Sequence, residues 1–428
     1  MGILILLSGI FIEISVAILT IVSKSNQHNF KNIIRIVAFL VFTFLTTLSV
    51  IEWSYRYYPL AFLLLLLALI GTHGLLRTRP KTNAYDLVGA LGRALGMSVL
   101  IFIVTLPAII FPQHTEIKST GKYQVATANY IYTDINRLET YVTTGENRKL
   151  NVQLWFPENA EGTYPLIIFS HGGLGIKASN ETLYNELASH GYIVCSIDHT
   201  YQCLYTTAEN GSIIWVAKSY RKELTAENAK LNKQQSLDYY QKWMKIRTDD
   251  INFVIDYLLS QAKKNSNRVY QLVDTTKIGV IGHSLGGSAA LGIGRIRNDV
   301  GAVVALDSPF MCDIKAVRNN EFVFSDAKYP VALLNVYSDR PYEHLDDWPQ
   351  YAQNYTLLTS SNSNIFNVYI SGVGHFDLTD LSITSPILTR FFNQKKSTTN
   401  AKLINKICLE FFNCYLKGEG EFDLGGIY

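Results

Sequence analysis

Residues 277–287 read KIGVIGHSLGG, and this stretch decides the fold of the chain. An apolar run that predicts a buried strand leads into the pattern G-x-S-x-G, centred on Ser284, and small residues that predict a helix follow it. This order is typical of a nucleophile elbow, a sharp strand–turn–helix connection that lifts one serine hydroxyl clear of a sheet. Glycines flank the serine because the turn leaves no room for a Cβ between helix and strand. A glycine-rich turn without chemistry is the alternative, but the surrounding strand and helix favour a serine nucleophile.

Strands and helices alternate on both sides of the elbow. Continuous apolar runs, typical of strands buried on both faces of a parallel sheet, occur at residues 166–170, 193–197, 277–281, 301–305 and 331–337. Further strands are predicted at 128–133, 150–156 and 366–370, and helices at 180–190, 247–261, 288–297, 383–393 and 403–416. The alternation predicts an α/β-hydrolase fold, a doubly wound and mostly parallel sheet. A helical insertion at about 200–246, without predicted strands, either covers the active-site cleft or runs over the surface.

The first part of the chain predicts a membrane region. Four long apolar stretches occupy residues 3–22, 33–51, 57–76 and 94–111. Each is long enough to cross a bilayer core of roughly 30 Å, and none has the polar face that a soluble bundle needs. The first stretch lacks the basic start and the A-x-A site of a signal peptide, so we expect it to be retained. The predicted organisation is a membrane region at 1–111, a linker at 112–124 and a hydrolase domain at 125–428.

The distribution of basic residues predicts the orientation of the four helices. Basic residues of the first and third loops and the adjoining helix starts are Lys24, Lys31, Arg35, Arg77, Arg79, Lys81 and Arg93. The second loop has only Arg56, balanced by Glu52. Because cytoplasmic loops carry the excess of Lys and Arg, we expect a multi-pass protein of the cell membrane with an extracytoplasmic catalytic domain. Glu13, in the middle of the first span, is expected to face a neighbouring helix.

The charge and the cysteine content of the chain limit which partners and cofactors we expect. The net charge is +3, and no basic stripe interleaved with aromatic residues occurs, which argues against a nucleic-acid partner. All five cysteines (Cys195, Cys203, Cys312, Cys408 and Cys414) follow the membrane region, where an oxidising compartment would permit one or two disulfides and leave at least one thiol free. No zinc-type His/Cys spacing occurs, so no metal or other cofactor is predicted.

A serine needs a base, and the order of the chain selects one histidine. In this fold the histidine follows the nucleophile, and only His344 and His375 do so. His375 comes directly after a predicted strand, which puts it at the carboxyl edge of the sheet, whereas His344 lies in a polar surface turn. His283 flanks the serine and is expected to point away from it. His375 is therefore the predicted base.

Two aspartates are candidates for the acid that orients this histidine. Asp307 and Asp339 each end a predicted strand between the serine and the histidine. Spacing slightly favours Asp339, whereas the apolar residues before Asp307 and the Ser-Pro-Phe segment after it favour burial of Asp307. The residues alone leave this choice open.

Backbone N–H groups must hold the oxyanion of the tetrahedral intermediate. One comes from the residue after the nucleophile, Leu285. The other comes from a loop after an earlier strand, and the segment Ile167-Ile168-Phe169-Ser170-His171-Gly172-Gly173 provides such a strand and loop. Gly173 is the predicted second donor.

These motifs resemble the plasma-type platelet-activating factor acetylhydrolase family of serine lipases. The resemblance rests on LWFP at 154–157, FSHG at 169–172, IGHSLGG at 281–287, ALD at 305–307 and GHFD at 374–377, and it extends from about 128 to 416. It implies that Asp307 is the acid and that Gly173 and Leu285 are the oxyanion donors. The family usually has a bulkier residue where this chain has Gly173, and this difference would loosen the acyl pocket. Members of the family hydrolyse short or oxidised sn-2 acyl chains of phospholipids without calcium, and related bacterial enzymes are broad esterases.

The leading hypothesis is therefore a membrane-anchored serine carboxylesterase or lipase that acts on esters, possible substrates being short or oxidised acyl chains of phospholipids. An envelope acyltransferase with the same triad is an alternative within the same chemistry. A non-catalytic sensor with a hydrolase fold usually lacks a triad member, and none is lacking here. A transporter is disfavoured because the four apolar stretches have few polar residues.

Overall fold

The computed structural model describes residues 1–77, 87–264, 266–359, 364–389 and 397–428. Within them the chain forms two compact units. One comprises residues 1–115 with 383–388, and the other comprises residues 116–382 with 389–428.

The first unit is built on four long helices: α1 (Gly2–Ser23), α2 (His28–Thr47), α3 (Tyr58–Leu76) and α4 (Leu87–Ile110). All four are long and apolar enough to cross a membrane, as the sequence predicted. Helix α2 begins five residues before the predicted apolar stretch, because the mostly polar residues 28–32 are also helical. Arg79 and Lys81, which contribute to the predicted orientation, lie outside the described residues.

Three polar side chains that lie within the helices of this unit have partners. The Glu13 carboxylate of α1 lies 3.1 Å from the Lys31 ammonium of α2. The hydroxyls of Thr20 and Thr105 donate to backbone carbonyls four residues earlier, at 2.8 and 2.7 Å. Such internal pairing is required where no water is available. Glu13 thus faces a neighbouring helix, as expected.

A nine-stranded sheet forms the centre of the second unit. The strands of the described chain are β1 (Val125–Leu138), β2 (Asn147–Pro157), β3 (Tyr164–Ser170), β4 (Ile193–Asp198), β5 (Tyr205–Thr207), β6 (Ile213–Trp215), β7 (Val273–His283), β8 (Val300–Leu306), β9 (Ile314–Arg318), β10 (Glu321–Phe324), β11 (Ala332–Tyr337), β12 (Ile365–Tyr369) and β13 (Gly426–Ile427). The order in the large sheet is β1-β2-β4-β3-β7-β8-β11-β12-β13. The pairs β1–β2 and β2–β4 are antiparallel, and every later pair is parallel. This topology confirms the predicted α/β-hydrolase fold.

Helices cover both faces of the sheet. The α-helices of the described chain after α4 are α5 (Glu181–Ser189), α6 (Lys218–Ala226), α7 (Lys233–Lys263), α8 (Arg268–Gln271), α9 (Leu285–Ile296), α10 (Asp339–Glu343), α11 (Ala352–Thr359), α12 (Leu381–Thr384), α13 (Pro386–Thr389) and α14 (Ser397–Phe412). Residues 383–388, in α12 and α13, belong to the first unit and not to the layers on the sheet. Side chains alternate along each strand, so Ile168 and Val280 belong to the core under α7 and α9. Their neighbours Ile167 and Ile281 belong to the core under α5 and α14.

Three local predictions differ from the structure. The insertion after β4 contains a hairpin, β5–β6, although no strand was predicted there. The helix predicted at 383–393 is interrupted at Ser385, because Pro386 lacks the N–H that would continue α12; residues 390–393 lie outside the described residues. The helix predicted at 247–261 is part of the 31-residue α7, which begins at Lys233, inside the predicted insertion.

All five cysteines lie in the described part of the chain and carry free thiols. Cys195, Cys203 and Cys408 are buried, and burial raises the pKa of the Cys408 thiol to about 12. The disulfides that an oxidising compartment would permit are therefore not formed in this structure.

Candidate active site

Ser284 sits at a strained turn between β7 and α9. Its backbone has φ 55° and ψ −124°, a conformation that residues with a side chain rarely adopt. The Ser284 N–H donates to the carbonyl of Leu306 at 2.8 Å, which fixes the turn to the end of β8. Every other residue from 278 to 294 is buried, and Ser284 alone is partly exposed. The turn therefore presents one hydroxyl to solvent.

Two glycines make this turn possible. A Cβ on Gly282 would collide with the backbone of Gly286. A Cβ on Gly286 would collide with the carbonyl groups of Ser170 and His171 at the end of β3. The flanking glycines thus allow α9 to approach both β7 and the loop after β3, which brings the predicted oxyanion donors near the serine.

His375 and Asp307 form a hydrogen-bonded pair. His375 begins a short turn of 3₁₀ helix, His375–Leu378, and its Nδ1 lies 3.0 Å from Oδ2 of Asp307. Asp307 is 1% exposed and follows β8 at φ 48°, a second strained position. Because a carboxylate only accepts hydrogen bonds, this contact assigns the proton to Nδ1 and leaves Nε2 of His375 as an acceptor.

No hydrogen bond joins Ser284 Oγ to His375 within the described residues. Contacts of this kind are often long in unliganded enzymes and shorten when substrate binds. His375 and Asp307 are thus paired, whereas the hydrogen bond from His375 to Ser284 that a triad would require is not made in this structure.

Asp339, the other candidate acid, has different partners. Its Oδ1 accepts hydrogen bonds from the Tyr369 hydroxyl at 2.9 Å and from the Gly372 N–H at 2.7 Å. Its backbone N–H donates to the carbonyl of Val373. Asp339 therefore stabilises the loop that leads to His375 and does not contact the imidazole.

Gly173 and Leu285 lie next to each other across the elbow. A Cβ on Gly173 would be 3.4 Å from Cδ1 of Leu285 and 3.6 Å from Cδ2 of Leu224 in α6. Within the described residues neither the Gly173 N–H nor the Leu285 N–H donates a hydrogen bond. Two unused donors beside the serine are what an oxyanion hole requires.

His283 occupies a place that the sequence did not predict. Its ring lies 4.4 Å from the His375 ring, measured between centroids, and its Nε2 lies 2.9 Å from the carbonyl of His375. Burial and the adjacent His375 lower the pKa of His283 well below its ordinary value. The sequence suggested only that this side chain points away from Ser284, and it did not predict the contact with His375. A neutral His283 stabilises the backbone of His375 and places no positive charge beside the His375 imidazole.

A buried polar network lies behind the loop after β3. His199 is bonded to Ser170 Oγ at 2.8 Å and to Asp250 at 2.9 Å, and Asp250 accepts two hydrogen bonds of 2.6 Å from Arg148. Burial alone would raise the pKa of Asp250, but Arg148 holds it well below its ordinary value. Burial and the charge of Arg247 lower the pKa of His199 to about 4. No sequence motif indicated this network, since its members come from four separate elements.

One group of buried side chains has the composition of a metal site. The ligand atoms of His171, Asp198 and Cys203 lie within 4.8 Å of one another. Both oxygens of Asp198 already accept hydrogen bonds, from the Lys177 N–H and the Thr206 hydroxyl. Both ring nitrogens of His171 are also hydrogen-bonded. We assign no metal to this cluster, because a metal would have to displace these bonds.

Known proteins provide a family and a fold for comparison. Residues 121–426 match the family model of platelet-activating factor acetylhydrolase, isoform II. A platelet-activating factor acetylhydrolase from Canis lupus familiaris is 26% identical over 264 residues, which are 57% of this chain and 54% of the relative. One from Cavia porcellus is 30% identical over 146 residues, 30% of this chain and 31% of the relative. Cutinase 2 from Thermobifida cellulosilytica is 25% identical over 36% of this chain and 42% of its own length. The chain thus spans about half or less of the length of these relatives.

A solved structure agrees with the architecture. A ferulic acid esterase from Streptomyces cinnamoneus superimposes with a TM-score of 0.55 at 18% identity, over 72% of this chain and 94% of the esterase. At this identity the likeness concerns the fold alone. It is consistent with the mostly parallel sheet and its helices.

Proposed function

The chain belongs to the platelet-activating factor acetylhydrolase, isoform II, family, and from this membership we propose that it is a membrane-anchored serine esterase that hydrolyses carboxylic esters. The observation that carries the proposal is the strained backbone of Ser284, which exposes one hydroxyl on an otherwise buried strand–turn–helix unit. Strain of this kind persists only where the surrounding structure enforces it.

In the proposed reaction Ser284 Oγ attacks the ester carbonyl while Nε2 of His375 takes its proton. Asp307, bonded to Nδ1, keeps the imidazole in the required tautomer and stabilises the imidazolium that forms. The N–H groups of Gly173 and Leu285 bind the oxyanion of the tetrahedral intermediate. His375 then returns the proton to the departing alcohol, and an acyl group remains on Ser284.

Water completes the cycle by the same route. His375 takes a proton from water, which attacks the acyl-serine carbonyl. When the second tetrahedral intermediate collapses, His375 returns this proton to Ser284 Oγ, and the carboxylic acid is released. An acyltransferase would differ only in this step, with an alcohol acceptor in place of water. No feature of the described residues favours such an acceptor, so hydrolysis is the function proposed.

We propose phospholipids with short or oxidised acyl chains as the substrate class. Relatives of the chain are platelet-activating factor acetylhydrolases, and four helices suited to a bilayer would hold the enzyme at a lipid surface. The first and third loops between the four helices carry the excess of basic residues, which supports an extracytoplasmic catalytic domain.

Labelling with a fluorescent fluorophosphonate tests the catalytic proposal. The full chain should be labelled at a single serine, and Ser284→Ala should abolish the label. Ser288→Ala is the matched control, because Ser288 lies in the first turn of the helix that follows Ser284 but is fully buried, and its hydroxyl donates to the Pro309 carbonyl. Equal labelling of the Ser284→Ala variant would refute the assignment. Product analysis with added alcohol distinguishes hydrolysis from acyl transfer.

A further inference from the structure

We propose that Arg247 of α7 is a positioning residue of the oxyanion hole, which holds the peptide between Gly172 and Gly173 so that the Gly173 N–H faces the reacting carbonyl. The proposal rests on the proposed esterase function and assigns a role to a residue far from Ser284 in sequence.

Arg247 is fully buried, and its contacts point to the loop after β3. Its Nη1 donates to the His171 carbonyl at 2.5 Å, and its Nη2 donates to the Gly172 carbonyl at 3.2 Å. Its other acceptors are Gln202, through Oε1 at 2.8 Å and the carbonyl at 3.5 Å, and the hydroxyl of Tyr220 at 3.4 Å. Two successive carbonyl groups of the oxyanion loop thus share one guanidinium.

Arg247 has no carboxylate partner within the described residues. A buried charge without an ion pair is costly and is usually neutralised by an acid. By contrast, the neighbouring Arg148, equally buried, pairs with Glu139 and Asp250. The charge of Arg247 is therefore stabilised by dipoles, of which two are the loop carbonyls. A residue needed only for packing or ion pairing would not require this arrangement.

The geometry of one peptide group links these carbonyls to the oxyanion. The Gly172 carbonyl and the Gly173 N–H belong to the same planar trans peptide, so they point in opposite directions. This carbonyl accepts three hydrogen bonds: from Arg247, from His171 Nδ1 at 2.7 Å and from the Gly175 N–H at 3.2 Å. Donors that hold the carbonyl on one side fix the N–H on the other. They also polarise the peptide and strengthen the N–H as a donor.

His171 also holds the Gly172 carbonyl, because a hydrogen bond to its other ring nitrogen fixes its tautomer. The backbone N–H of His199 donates to Nε2 of His171 at 3.3 Å, which leaves the proton on Nδ1 for the Gly172 carbonyl. Arg247 lies on the same side of the loop as His171, and its positive charge stabilises the negative charge that develops on the oxyanion. Two side chains therefore support the one peptide, and Arg247 is the one that carries a charge.

The test compares Arg247→Lys and Arg247→Met with the wild-type full chain on p-nitrophenyl butyrate. Lysine keeps the charge but loses the planar fork that spans two carbonyls. We expect kcat to fall about 10- to 100-fold in both variants, somewhat less than the roughly 100- to 1,000-fold loss when an oxyanion donor is removed. KM should change less than about threefold, because the ground-state ester gains little from the oxyanion hole. The inhibition constant of an alkyl trifluoromethyl ketone, which forms a tetrahedral oxyanion on serine, should rise in parallel with the loss of kcat.

Arg295→Met is the matched control. Arg295 forms an ion pair with Asp313 at 2.6 Å and makes no contact with the oxyanion loop. This variant should lower the melting temperature but keep kcat and the ketone affinity within about twofold of wild type.

Two outcomes would overturn the proposal. One is an Arg247→Lys variant that keeps wild-type kcat and ketone affinity, which would make Arg247 a structural residue only. The other is a loss of kcat without a parallel loss of ketone affinity, which would place its effect outside the oxyanion hole. If Arg247→Met does not fold, the kcat of Arg247→Lys and its inhibition constant for the trifluoromethyl ketone decide the test. An inactive wild-type chain that fluorophosphonate does not label would instead refute the proposed function itself.

Discussion

The backbone N–H of Ser338 donates a 2.6 Å hydrogen bond to Oδ1 of Asp307, and the Ser338 hydroxyl donates to Oδ2, the oxygen that also faces His375. Both residues are buried, with Asp307 1% exposed and Ser338 fully buried. The carboxylate thus enters the pair with His375 already oriented by the first residue after β11. This contact connects two neighbouring strands of the sheet to the candidate site.

Removal of the Ser338 hydroxyl should weaken both stability and activity. We expect Ser338→Ala to lower the free energy of unfolding by about 1.5–3 kcal/mol, the range for hydrogen bonds to charged groups. The catalytic rate should fall less than in any change of Asp307 itself, since the backbone N–H of residue 338 remains. Ser308→Ala is the control, because that hydroxyl donates to the Leu306 carbonyl and not to the carboxylate. Equal rates for Ser338→Ala and Ser308→Ala would contradict this role.

The choice of acid can be tested directly. Asp307→Asn should reduce kcat by about four orders of magnitude, because an amide does not hold the imidazole in the same tautomer. Asp339→Asn removes a partner of Tyr369 and Gly372. It should lower the melting temperature and change kcat by less than about tenfold, in keeping with a partner that acts on a loop and not on the reacting atoms. Steady-state kinetics with melting curves separates the two, and a larger loss of kcat in Asp339→Asn would reverse the assignment.

Local patterns predict the strained turn at Ser284 but do not choose between the two candidate acids. Ser284 and His375 could be proposed from the sequence because both lie beside strands with clear apolar runs. Asp307 and Asp339 both follow such runs, at the ends of β8 and β11, and these strands are neighbours with Val336 opposite Leu306. Sequence spacing therefore leaves the two aspartates almost equivalent. The turn at Asp307, with its positive φ, is what directs one carboxylate towards His375.

Arg247 could not be predicted for a different reason. It lies in the middle of α7, a long helix, and the two acceptors in the loop after β3 are backbone carbonyls 75 and 76 residues earlier in the chain. Every residue has a backbone carbonyl, so the sequence does not indicate which carbonyls accept hydrogen bonds from Arg247. The burial of Arg247 depends on how α7 packs on the sheet, which the local pattern does not specify. The hairpin β5–β6 was missed because each of its strands has only three residues.

The buried histidine His199 should make the fold sensitive to acid. Burial lowers its pKa to about 4 in the folded state, and the nearby charge of Arg247 contributes, whereas the ordinary value is 6.5. Between these pH values the unfolded state holds a proton that the folded state does not, so stability falls as the pH falls, by about 1.4 kcal/mol per pH unit. Replacement of His199 by glutamine removes this contribution.

Melting curves between pH 7 and pH 4.5 check this expectation. The fall in melting temperature should be smaller in His199→Gln than in the wild type, even if the variant starts lower. Asp380, whose pKa burial raises to about 7, acts in the opposite sense but is present in both proteins, so it cancels in the comparison. Ser170→Ala, which removes a partner of His199 without removing the imidazole, should keep the wild-type dependence on pH. The same slope in wild type and His199→Gln would rule the mechanism out.

The proposed orientation in the membrane predicts which loops a reagent reaches. Lys24→Cys, at the end of α1, should react with a membrane-impermeant maleimide only after cells are permeabilised. Tyr55→Cys, before α3, should react in intact cells, since the second loop is expected outside. The wild-type chain measures the background from its own cysteines, of which three are buried. The opposite pattern of labelling would place the catalytic unit in the cytoplasm.

The acyl pocket should be limited by Leu224. Its Cδ2 lies 3.6 Å from the position that a Cβ on Gly173 would take, so this leucine of α6 fills space beside the predicted oxyanion donor. Leu224→Ala should therefore admit longer acyl chains. Each methylene accommodated in apolar surroundings is worth about 0.8 kcal/mol, roughly fourfold in kcat/KM. Activity on p-nitrophenyl octanoate relative to the acetate should rise accordingly. Leu231→Ala, at an 83% exposed leucine of the same insertion, should leave this ratio unchanged. Identical chain-length profiles for the two variants would mean that α6 does not bound the acyl site.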